Sequence, residues 1–318
     1  MKQFLIPEEG KFYKANLHCH STFSDGRWTV EKLKEEYKKR GYSVIAYSDH
    51  DKCFSHDELT DDEFVAITSY EISISDTERV KVGKFRPCYH FNAFAVSQEG
   101  EHKELLPVPP YEDIDAINAF IAELNKKGFI VSYNHPNWSL QTMQDYVGLK
   151  GLFATEIYNH SAMVDGIDAD QETQYDIMLR NGSRLYPIMT DDNHDVHEVD
   201  SLYNDSFGGY VMIKAPCLTY DAVMDNLIKG NFYASMAPEI YSLYVEDGVL
   251  KVECSDAVRI MLTKYGRNAQ TAYAPKGQTI NSASFELNDS DIYYRLRIVD
   301  EYGRRANTRA YFADEIFK

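Results

Sequence analysis

Residues 12–26 read FYKANLHCHSTFSDG, and this stretch decides how the rest of the chain is interpreted. Its first half is typical of a β-strand, and the strand ends in His18 and His20. Because side chains at positions i and i+2 of a strand point to the same side, both imidazoles can reach one ligand. Cys19 points to the other side and is expected in the core. The stretch therefore predicts a strand with a ligand pair at its carboxyl end.

An alternation of helix and strand surrounds this stretch. Four helical patterns end in basic residues followed by glycine, at Gly41, Gly128, Gly182 and Gly230. Basic side chains in a last turn suit the helix dipole, and glycine accepts the left-handed conformation that ends a helix. Extended apolar runs occupy residues 42–50, 64–71, 129–135, 152–159, 183–192 and 231–235. The alternation predicts an α/β fold around a parallel sheet, either open or closed into a barrel.

The pattern changes after about residue 238. Asp247-Gly248 lies between two alternating runs, which is a strong signal for a β-hairpin. Further short alternating runs follow at regular spacing and predict a small all-β sandwich, of immunoglobulin-like type. We therefore expect residues 1–238 to form the α/β domain and residues 239–318 to form the sandwich. Arg304, Arg305 and Arg309 are interpreted as charges that protect an edge strand of the sandwich.

Charge and histidine are distributed unevenly between these two parts. The chain has 318 residues and a formal net charge of −17, yet residues 241–318 hold eleven acidic and eleven basic residues. All ten histidines lie at or before His197. A strongly acidic body disfavours binding to nucleic acid or to an anionic membrane. The scattered five cysteines and the lack of a long apolar run predict a cytoplasmic protein without disulfides or membrane-spanning helices, whose oligomeric state is open.

Several apolar runs end in a histidine or a carboxylate. The carboxyl ends of strands meet on one face of an α/β barrel, so residues far apart in sequence are expected around one pocket. A single ion uses about three to five protein ligands, so a larger set suits two or three ions that share a carboxylate. Imidazole and carboxylate without thiolate favour Zn, Mn or Fe. The nine candidate ligands are His18, His20, Asp25, His50, Glu71, His90, His135, Asp192 and His194.

The same residues carry a resemblance to a known family. The segments LHCHSTFSDG, AYSDHD, SYE, NHP and DDNH resemble, in order and over residues 12–236, the PHP (polymerase and histidinol phosphatase) domain family. The resemblance implies a distorted (β/α)7 barrel with a two- or three-metal phosphoesterase site, and some members carry a comparable β tail. It further implies that a metal-bridging hydroxide attacks the phosphorus of a small-molecule phosphate mono- or diester.

The resemblance also implies how the ligands are shared. His18, His20, Glu71 and Asp192 would hold a first ion, Glu71, His90 and His135 a second, and Asp25, His50 and His194 a third. Two departures from the family pattern matter. Asp25 stands where some relatives have histidine. Thr190-Asp191 replaces a small Gly-Ser pair, so that Asp191 either faces away from the site or adds negative charge that alters substrate choice.

Further residues are candidates for catalysis and substrate binding. Asp192 and His160 are the catalytic candidates, with His160 as a proton donor or a supporting residue. Glu156 is a candidate for orienting a ligand. Trp138 is interpreted as a core residue, with the pocket wall as the alternative, and His56, His102 and His197 as surface residues. The candidates for binding a phosphorylated substrate are Arg86, Lys84, Arg27 and Asn159.

Two alternatives to a phosphoesterase stay open. The same nucleophile can hydrolyse a carboxylic ester, an amide or a carbamate, and the lack of a basic cluster near the ligands is compatible with that reading. The other alternative is a binding module whose metals only stabilise the fold. A nucleic-acid substrate is disfavoured, because no basic stripe with interleaved aromatic residues is found outside the site.

Overall fold

The computed structural model describes residues 2–77, 85–99 and 105–317. The strands are β1 (Lys2–Phe4), β2 (Lys11–Cys19), β3 (Tyr42–Tyr47), β4 (Val65–Ser75), β5 (Cys88–Ala95), β6 (Phe129–Tyr133), β7 (Ala154–Asn159), β8 (Tyr186–Thr190), β9 (Tyr210–Ala215), β10 (Phe232–Ser235), β11 (Ile240–Glu246), β12 (Val249–Ala257), β13 (Arg259–Lys264), β14 (Gln270–Tyr273), β15 (Ile280–Glu286), β16 (Tyr293–Val299), β17 (Arg305–Thr308) and β18 (Tyr311–Phe312). The helices are α1 (Val30–Lys38), α2 (Ile114–Lys126), α3 (Met143–Tyr146), α4 (His160–Val164), α5 (Glu172–Arg180), α6 (Tyr220–Ile228) and α7 (Ala313–Ile316).

A large mixed sheet carries the α/β part, as the alternation of helix and strand predicts. Its hydrogen-bonded order is β14-β13-β16-β17-β10-β9-β2-β3-β4-β5-β6-β7-β8. Strands β2, β3 and β4 are parallel, and so are β6, β7 and β8. The sheet is not parallel throughout, since β5 runs antiparallel to β4 and β6, and β9 runs antiparallel to β2. Strand β5 is antiparallel because β4 and β5 are consecutive arms of a hairpin, whose register runs from Ser75 opposite Cys88 to Ser69 opposite Phe94.

The ends of β8 and β2 lie side by side, although the two strands share no ladder. The backbone N–H of Asp192 donates to the carbonyl of His18 at 2.9 Å, and that of His20 donates to the carbonyl of Asn193 at 3.1 Å. These two bonds bring the carboxyl end of the last parallel strand to the carboxyl end of the first. Closure into a seven-stranded barrel stays a prediction.

The predicted helices form where their apolar faces can be buried. Helix α1 buries Val30, Leu33 and Tyr37, and the Thr29 side chain caps its first turn by accepting the N–H of Lys32. Helix α2 buries Ile117, Phe120, Ile121 and Leu124 under an Asp113 cap. Gly41 and Gly128 follow with φ values of 78° and 86°, in the left-handed conformation expected at a helix end. Within the described residues, no helix combines the length and apolarity that a membrane span requires.

The β-rich tail packs as two facing layers. Strands β1, β11, β12 and β15 form a four-stranded antiparallel sheet, and the predicted hairpin at Asp247-Gly248 joins β11 to β12. Apolar residues of this sheet, such as Leu243 and Val252, share a core with Ile260 and Leu296 of the large sheet. Because β1 pairs with β11, the first residues of the chain contribute to the tail sheet. The division at residues 238 and 239 stays a prediction.

The edge-strand interpretation of the tail arginines is wrong for Arg305. Strand β17, which contains it, lies between β16 and β10 and is paired on both sides. The Arg305 side chain is largely buried, and it pairs with Asp170 and Glu172 of the α/β part. This arginine therefore joins the tail to the larger sheet instead of shielding an edge.

Candidate metal centre

All nine predicted ligands converge at one edge of the large sheet, where the parallel strands β2, β3, β6 and β8 end. Their ligand atoms form overlapping groups in which every atom lies within 4.8 Å of the others. Three groups contain only predicted ligands, and a fourth joins His18 and His135 to Glu156. The three are His18 with His20, Glu71 and Asp192; His50 with Glu71 and His90; and Asp25 with His20, His50 and His194.

The paired histidines of β2 face two carboxylates. The Nε2 atom of His18 lies 3.1 Å from Asp192 Oδ1 and 3.2 Å from Glu71 Oε1. The Nε2 atom of His20 lies 3.0 Å from Asp192 Oδ1 and 3.4 Å from Glu71 Oε2. The two Nε2 atoms are themselves only 3.2 Å apart. Two imidazole nitrogens and two carboxylates thus surround one point, which is an arrangement that suits a divalent cation.

Glu71 is the centre of the whole cluster. Besides His18 and His20, His90 Nδ1 and His135 Nε2 lie 3.0 Å and 3.1 Å from Oε1, and His50 Nδ1 lies 3.1 Å from Oε2. Burial raises the pKa of this carboxyl, but the surrounding imidazoles, led by His90 and His18, outweigh burial and hold the pKa well below its ordinary value. A carboxylate whose two oxygens face different histidines has the geometry of a bridging ligand.

The group around Asp25 is more open. The Asp25 carboxylate lies 3.5 Å from His194 Nε2, 3.7 Å from His50 Nε2 and 3.8 Å from His20 Nδ1, and its side chain is 55% exposed. Burial raises the pKa of Asp25, but His194 and the neighbouring imidazoles bring it below its ordinary value. Burial lowers the pKa of His194, whereas Asp25 and Asp192 raise it to about 9. These longer distances make this the loosest of the three groups.

Buried polar atoms without a hydrogen-bond partner indicate whether the cluster fits metal ions. Glu71 Oε2, His20 Nδ1 and His50 Nδ1 are buried without a hydrogen-bond partner. His50 Nδ1 and Glu71 Oε2 lie 3.1 Å apart, yet without the geometry of a hydrogen bond. Buried polar groups are rarely left unpaired, and divalent cations would satisfy these atoms. The donor set therefore fits divalent metal ions held by nitrogen and oxygen.

Glu156 supports the centre from behind, as predicted. Its fully buried carboxylate lies 2.7 Å from His18 Nδ1 and accepts a hydrogen bond from the Thr190 hydroxyl at 2.6 Å. It also accepts the backbone N–H of His135 at 2.9 Å. When His18 donates its Nδ1 proton to this carboxylate, its Nε2 lone pair faces the centre, as is typical of metal-binding histidines.

Asn159 also faces the ligands. Its amide nitrogen donates to Glu156 Oε2 and Asp192 Oδ2, both at 3.1 Å, and its carbonyl oxygen accepts the N–H of Ala162 to cap α4. The side chain is fully buried. Both ends of the amide are thus engaged in positioning Asp192 and α4, and neither is turned toward a substrate.

The backbone is unusual at two of the predicted ligands. Asp192 has a φ of 56° and His135 a φ of 24°, in a region that residues other than glycine rarely adopt. Such conformations persist only where the surrounding structure holds them, and they cluster at functional sites. The bond from the N–H of Asp192 to the carbonyl of His18 is one of the contacts that hold Asp192 here.

Asp191 faces away from the centre, which decides between the two alternatives given for this departure from the PHP family pattern. Its fully buried carboxylate accepts the backbone N–H groups of Phe207, Gly208 and Gly209 at 2.8 to 2.9 Å, and the Tyr37 hydroxyl at 2.8 Å. Burial raises its pKa above the ordinary value, although His160 and these donors act in the opposite direction. Asp191 therefore anchors the loop before β9 and does not reach a substrate.

The other predicted site residues lie further from the ligands. His160 Nδ1 lies 2.9 Å from the Tyr158 hydroxyl, and the ring covers Gly208, where an added Cβ would lie 2.1 Å from it. Arg27 and Arg86 are exposed and do not line the cavity beside the centre. Lys84 lies outside the described residues.

A cavity of about 490 Å³ opens beside the centre. Asp25, Asp192 and His194 form one part of its wall. The interpretation of Trp138 as a core residue is wrong, because its indole is 39% exposed and lines this cavity. His197, interpreted as a surface residue, and Tyr203, which the sequence does not single out, line it too. In the sequence, the indication that Trp138 lines the cavity is its position three residues after the predicted ligand His135. His56, also interpreted as a surface residue, is buried among aromatic rings, and His102 lies outside the described residues.

Comparisons with known proteins give distant structural neighbours only. No family model matches the chain, and no curated protein does. Solved structures to which it is similar include a two-domain protein from Bacteroides vulgatus containing a predicted PHP-like metal-dependent phosphoesterase, with 13% identity over 97% of this chain and 98% of that one and a TM-score of 0.48. Another is a presumed metal-dependent phosphoesterase from Bifidobacterium adolescentis, with 16% identity over 61% and 92% and a TM-score of 0.39.

A third neighbour is an amidohydrolase from Chromobacterium violaceum, whose structure contains sulfate and no metal. It has 12% identity over 57% of this chain and 87% of that one, with a TM-score of 0.36. At these values the likenesses carry no argument about what this chain binds or transforms. The functional argument therefore depends on the chain's own residues.

Proposed function

We propose that this chain is a metal-dependent phosphoesterase of the PHP type that hydrolyses a small-molecule phosphate mono- or diester. In this proposal a distorted (β/α)7 barrel holds two or three divalent ions, Zn, Mn or Fe. The observation that carries it is the environment of Glu71. Five imidazoles lie within 3.4 Å of this buried carboxylate, and among the described residues no arginine or lysine forms an ion pair with it.

The proposed assignment of the ions follows these distances. The first ion takes His18, His20, Glu71 and Asp192, the second takes Glu71, His90 and His135, and the third takes Asp25, His50 and His194. His50 also approaches Glu71 and His90, so it lies between the second and third positions. Because the contacts of Asp25 are the longest, we expect the third ion to bind most weakly.

The open cavity favours catalysis over a purely structural metal site. A structural site has a closed ligand shell, whereas a catalytic one keeps a position for water or substrate. Asp25, Asp192 and His194 reach the cavity wall, so a molecule in the cavity would lie next to the proposed ions. This observation argues against the alternative of a metal-stabilised binding module.

The side chains of the protein and the bound ions have separate roles in this proposal. Bound divalent ions supply an acidified water and neutralise the phosphoryl oxygens. Glu156 orients His18, and Asn159 holds the proposed catalytic residue Asp192. The leaving alkoxide needs a proton, for which we propose His160, with His197 of the cavity wall as the competing donor. Replacing each with glutamine and comparing the alkaline limbs of the pH–rate profiles separates the two.

Phosphate recognition by Arg86, Lys84 and Arg27 stays part of the proposal. Arg86 and Arg27 are exposed outside the cavity, so they would act on a substrate that extends beyond it. Within the cavity, neutralisation of the phosphate would depend on the ions. Substitution of Arg86 with glutamine tests this. If Arg86 contacts the substrate, the variant should have a higher KM for the phosphate ester and the same metal content as the parent chain.

The direct test is turnover by the metal-loaded chain. We expect hydrolysis of p-nitrophenyl phosphate with Mn or Zn, loss of activity on chelation, and recovery on adding metal back. The Glu71→Ala variant should be inactive, whereas Glu253→Ala, which removes an exposed carboxylate of the tail, should match the parent chain. A fully metallated chain that turns over no phosphate ester would refute the proposal.

One observation favours the second candidate function, hydrolysis of a carboxylic ester, amide or carbamate. Among the described residues that line the cavity, none is lysine or arginine. p-Nitrophenyl acetate and p-nitrophenyl phosphate share a leaving group, so the ratio of their kcat/KM values, each divided by the rate of the uncatalysed reaction, reports the bond preference of the chain. A ratio strongly in favour of the acetate would replace the phosphoesterase proposal by this one.

A further inference from the structure

Aromatic and apolar side chains line part of the cavity beside the metal centre. Trp138 and Tyr203 line it with exposed fractions of 39% and 64%, and Val164 and Val196 line it as well. Large exposed aromatic side chains are costly to leave in water, and their clustering at a cavity marks a binding surface. A volume of about 490 Å³ falls in the range of pockets that hold a small organic molecule.

Trp138 has a fixed position relative to the ligands. Its ring centre lies 5.1 Å from that of His135 and 5.5 Å from that of His90. These two histidines are proposed ligands of the second ion, so a group that stacks on the indole would lie next to the ions. Tyr203 is supported by His197, whose ring centre lies 5.6 Å away.

The charge of the cavity restricts the substrate further. Besides the proposed ligands, Asp165 and Asp205 line it, and the described lining contains no lysine or arginine. The Asp205 carboxylate accepts the backbone N–H groups of His194 and Asp195 at 2.7 Å and 3.0 Å, which keeps this negative group beside the centre. A second anionic group on the substrate would face like charge, which is an effective way to reject it.

We propose that the substrate carries a single phosphate on a planar aromatic leaving group, which stacks on Trp138 and Tyr203. The inference rests on the proposed phosphoesterase function and specifies the leaving group that this function acts on. Trp138 and Tyr203 determine the specificity for the ring, while the carboxylates of the cavity exclude a second phosphate.

The test compares substrates that differ only in the ring. Benzyl phosphate and cyclohexylmethyl phosphate have similar size and similar leaving-group acidity, but only the first is planar. We expect kcat/KM of the metal-loaded chain to favour benzyl phosphate by roughly tenfold, as stacking on aromatic side chains provides. Trp138→Ala and Tyr203→Ala should each reduce this ratio several-fold, whereas Tyr273→Ala, which removes an exposed tyrosine of the tail, should leave it unchanged. A nucleoside 5′-monophosphate should be preferred over its 3′,5′-bisphosphate.

Binding measurements separate failure of this inference from failure of the proposed function. Benzylphosphonate and cyclohexylmethylphosphonate have a carbon–phosphorus bond in place of the ester bond, so the chain cannot hydrolyse them. Calorimetric titration gives their affinities for the metal-loaded chain. A benzyl preference that Trp138→Ala removes would support the stacking even if no phosphate ester were hydrolysed. Equal affinities and equal turnover of the two rings, or a preference that survives both substitutions, would overturn it.

Discussion

Two buried carboxylates of this protein are neutralised in different ways. Glu71 and Glu172 are both nearly inaccessible to solvent, and their pKa values both lie below the ordinary value. Glu71 is surrounded by histidines, whereas Glu172 is surrounded by arginines of the tail. The two clusters thus pair the same anion with two different kinds of base.

The Glu172 cluster joins helix α5 to strands β16 and β17. Arg305 Nε lies 2.9 Å from Glu172 Oε1, Arg295 lies 3.6 Å from Oε2, and Arg297 pairs with the same oxygen. Arg295 and Arg305 also pair with Asp176 and Asp170, at 2.6 Å and 3.0 Å. Burial raises the pKa of Glu172, but Arg297, Arg295 and Arg305 outweigh it. The cluster balances its own charge.

The difference separates a structural ion cluster from a metal site. An arginine is always charged and has no lone pair to give, so it completes a buried ion pair and binds no cation. A neutral imidazole leaves a buried carboxylate without a permanent counter-charge and offers a lone pair to a metal. The histidines around Glu71 therefore make that cluster a candidate cation site, while the arginines around Glu172 join the tail to α5.

The largest expected effect concerns metal content. Glu71→Gln should cost roughly a thousandfold in activity and at least one bound ion, well beyond the about 10–100-fold typical of a residue outside the ligand shell. Glu172→Gln should keep the parent metal content per folded molecule. Elemental analysis of both variants after metal loading and desalting checks this. Equal metal loss in the two variants would erase the distinction between the clusters.

The next effect concerns stability. Glu172→Gln removes the carboxylate that three arginines share and leaves the cluster with an uncompensated positive charge, so we expect a loss of about 3–5 kcal/mol in the free energy of unfolding. Denaturant unfolding of the metal-free chain measures it. Glu253→Gln, at an exposed position of the tail, is the matched control and should change stability by less than about 0.5 kcal/mol. A Glu172 effect no larger than the control would mean that the arginines do not depend on this carboxylate.

A smaller effect is expected at the residue that orients His18. Glu156→Gln keeps the volume but removes the charged acceptor of the Nδ1 proton, so metal affinity should fall by about 10–100-fold. Competition with a chromophoric chelator gives the affinity directly. Unchanged affinity would assign Glu156 to packing and to its bonds with Thr190 and Asn159 alone.

The pH dependence gives the subtlest test of the comparison. Metal binding requires neutral imidazoles, so acidification from pH 7 to pH 5 should release ions. The pKa of Glu172 in the folded chain lies below its unfolded value, so its stabilisation is present above the unfolded pKa and is lost as pH falls through the folded value. The stability difference between the parent chain and Glu172→Gln should therefore persist at pH 5, after the ions have left, and shrink only in stronger acid. If the bound ions and the stability difference were lost over the same pH range, the distinction between the two clusters would be contradicted.

Much of the site could be predicted because its signals are local. The spacing of His18 and His20 follows from strand geometry alone, and His135 and Asp192 follow directly after the apolar runs that form β6 and β8. The existence of β9 and the pairing of β5 with β4 and β6 were missed. An apolar run shows that a strand is buried, but its partner and direction depend on which segments the chain brings beside it.

The cavity wall could not be predicted in the same way. Trp138, His197 and Tyr203 come from loops after β6 and β8, which have no periodic pattern that assigns a side chain to a face. Asn159 was predicted to contact substrate, yet a hydrogen bond to Asp192 and the cap of α4 occupy its amide. Whether a polar side chain faces a ligand or a neighbour depends on the packing around it.

The sequence by itself determined the α/β class, the β-rich tail and the set of nine ligand candidates, because these depend on residue type and on the periods of strands and helices. Only the tertiary structure decided that Asp191 turns away from the centre and that Arg305 joins the tail to α5. These features arise from contacts between residues far apart along the chain. Their distances are set by the packing of the sheet and not by spacing in the sequence.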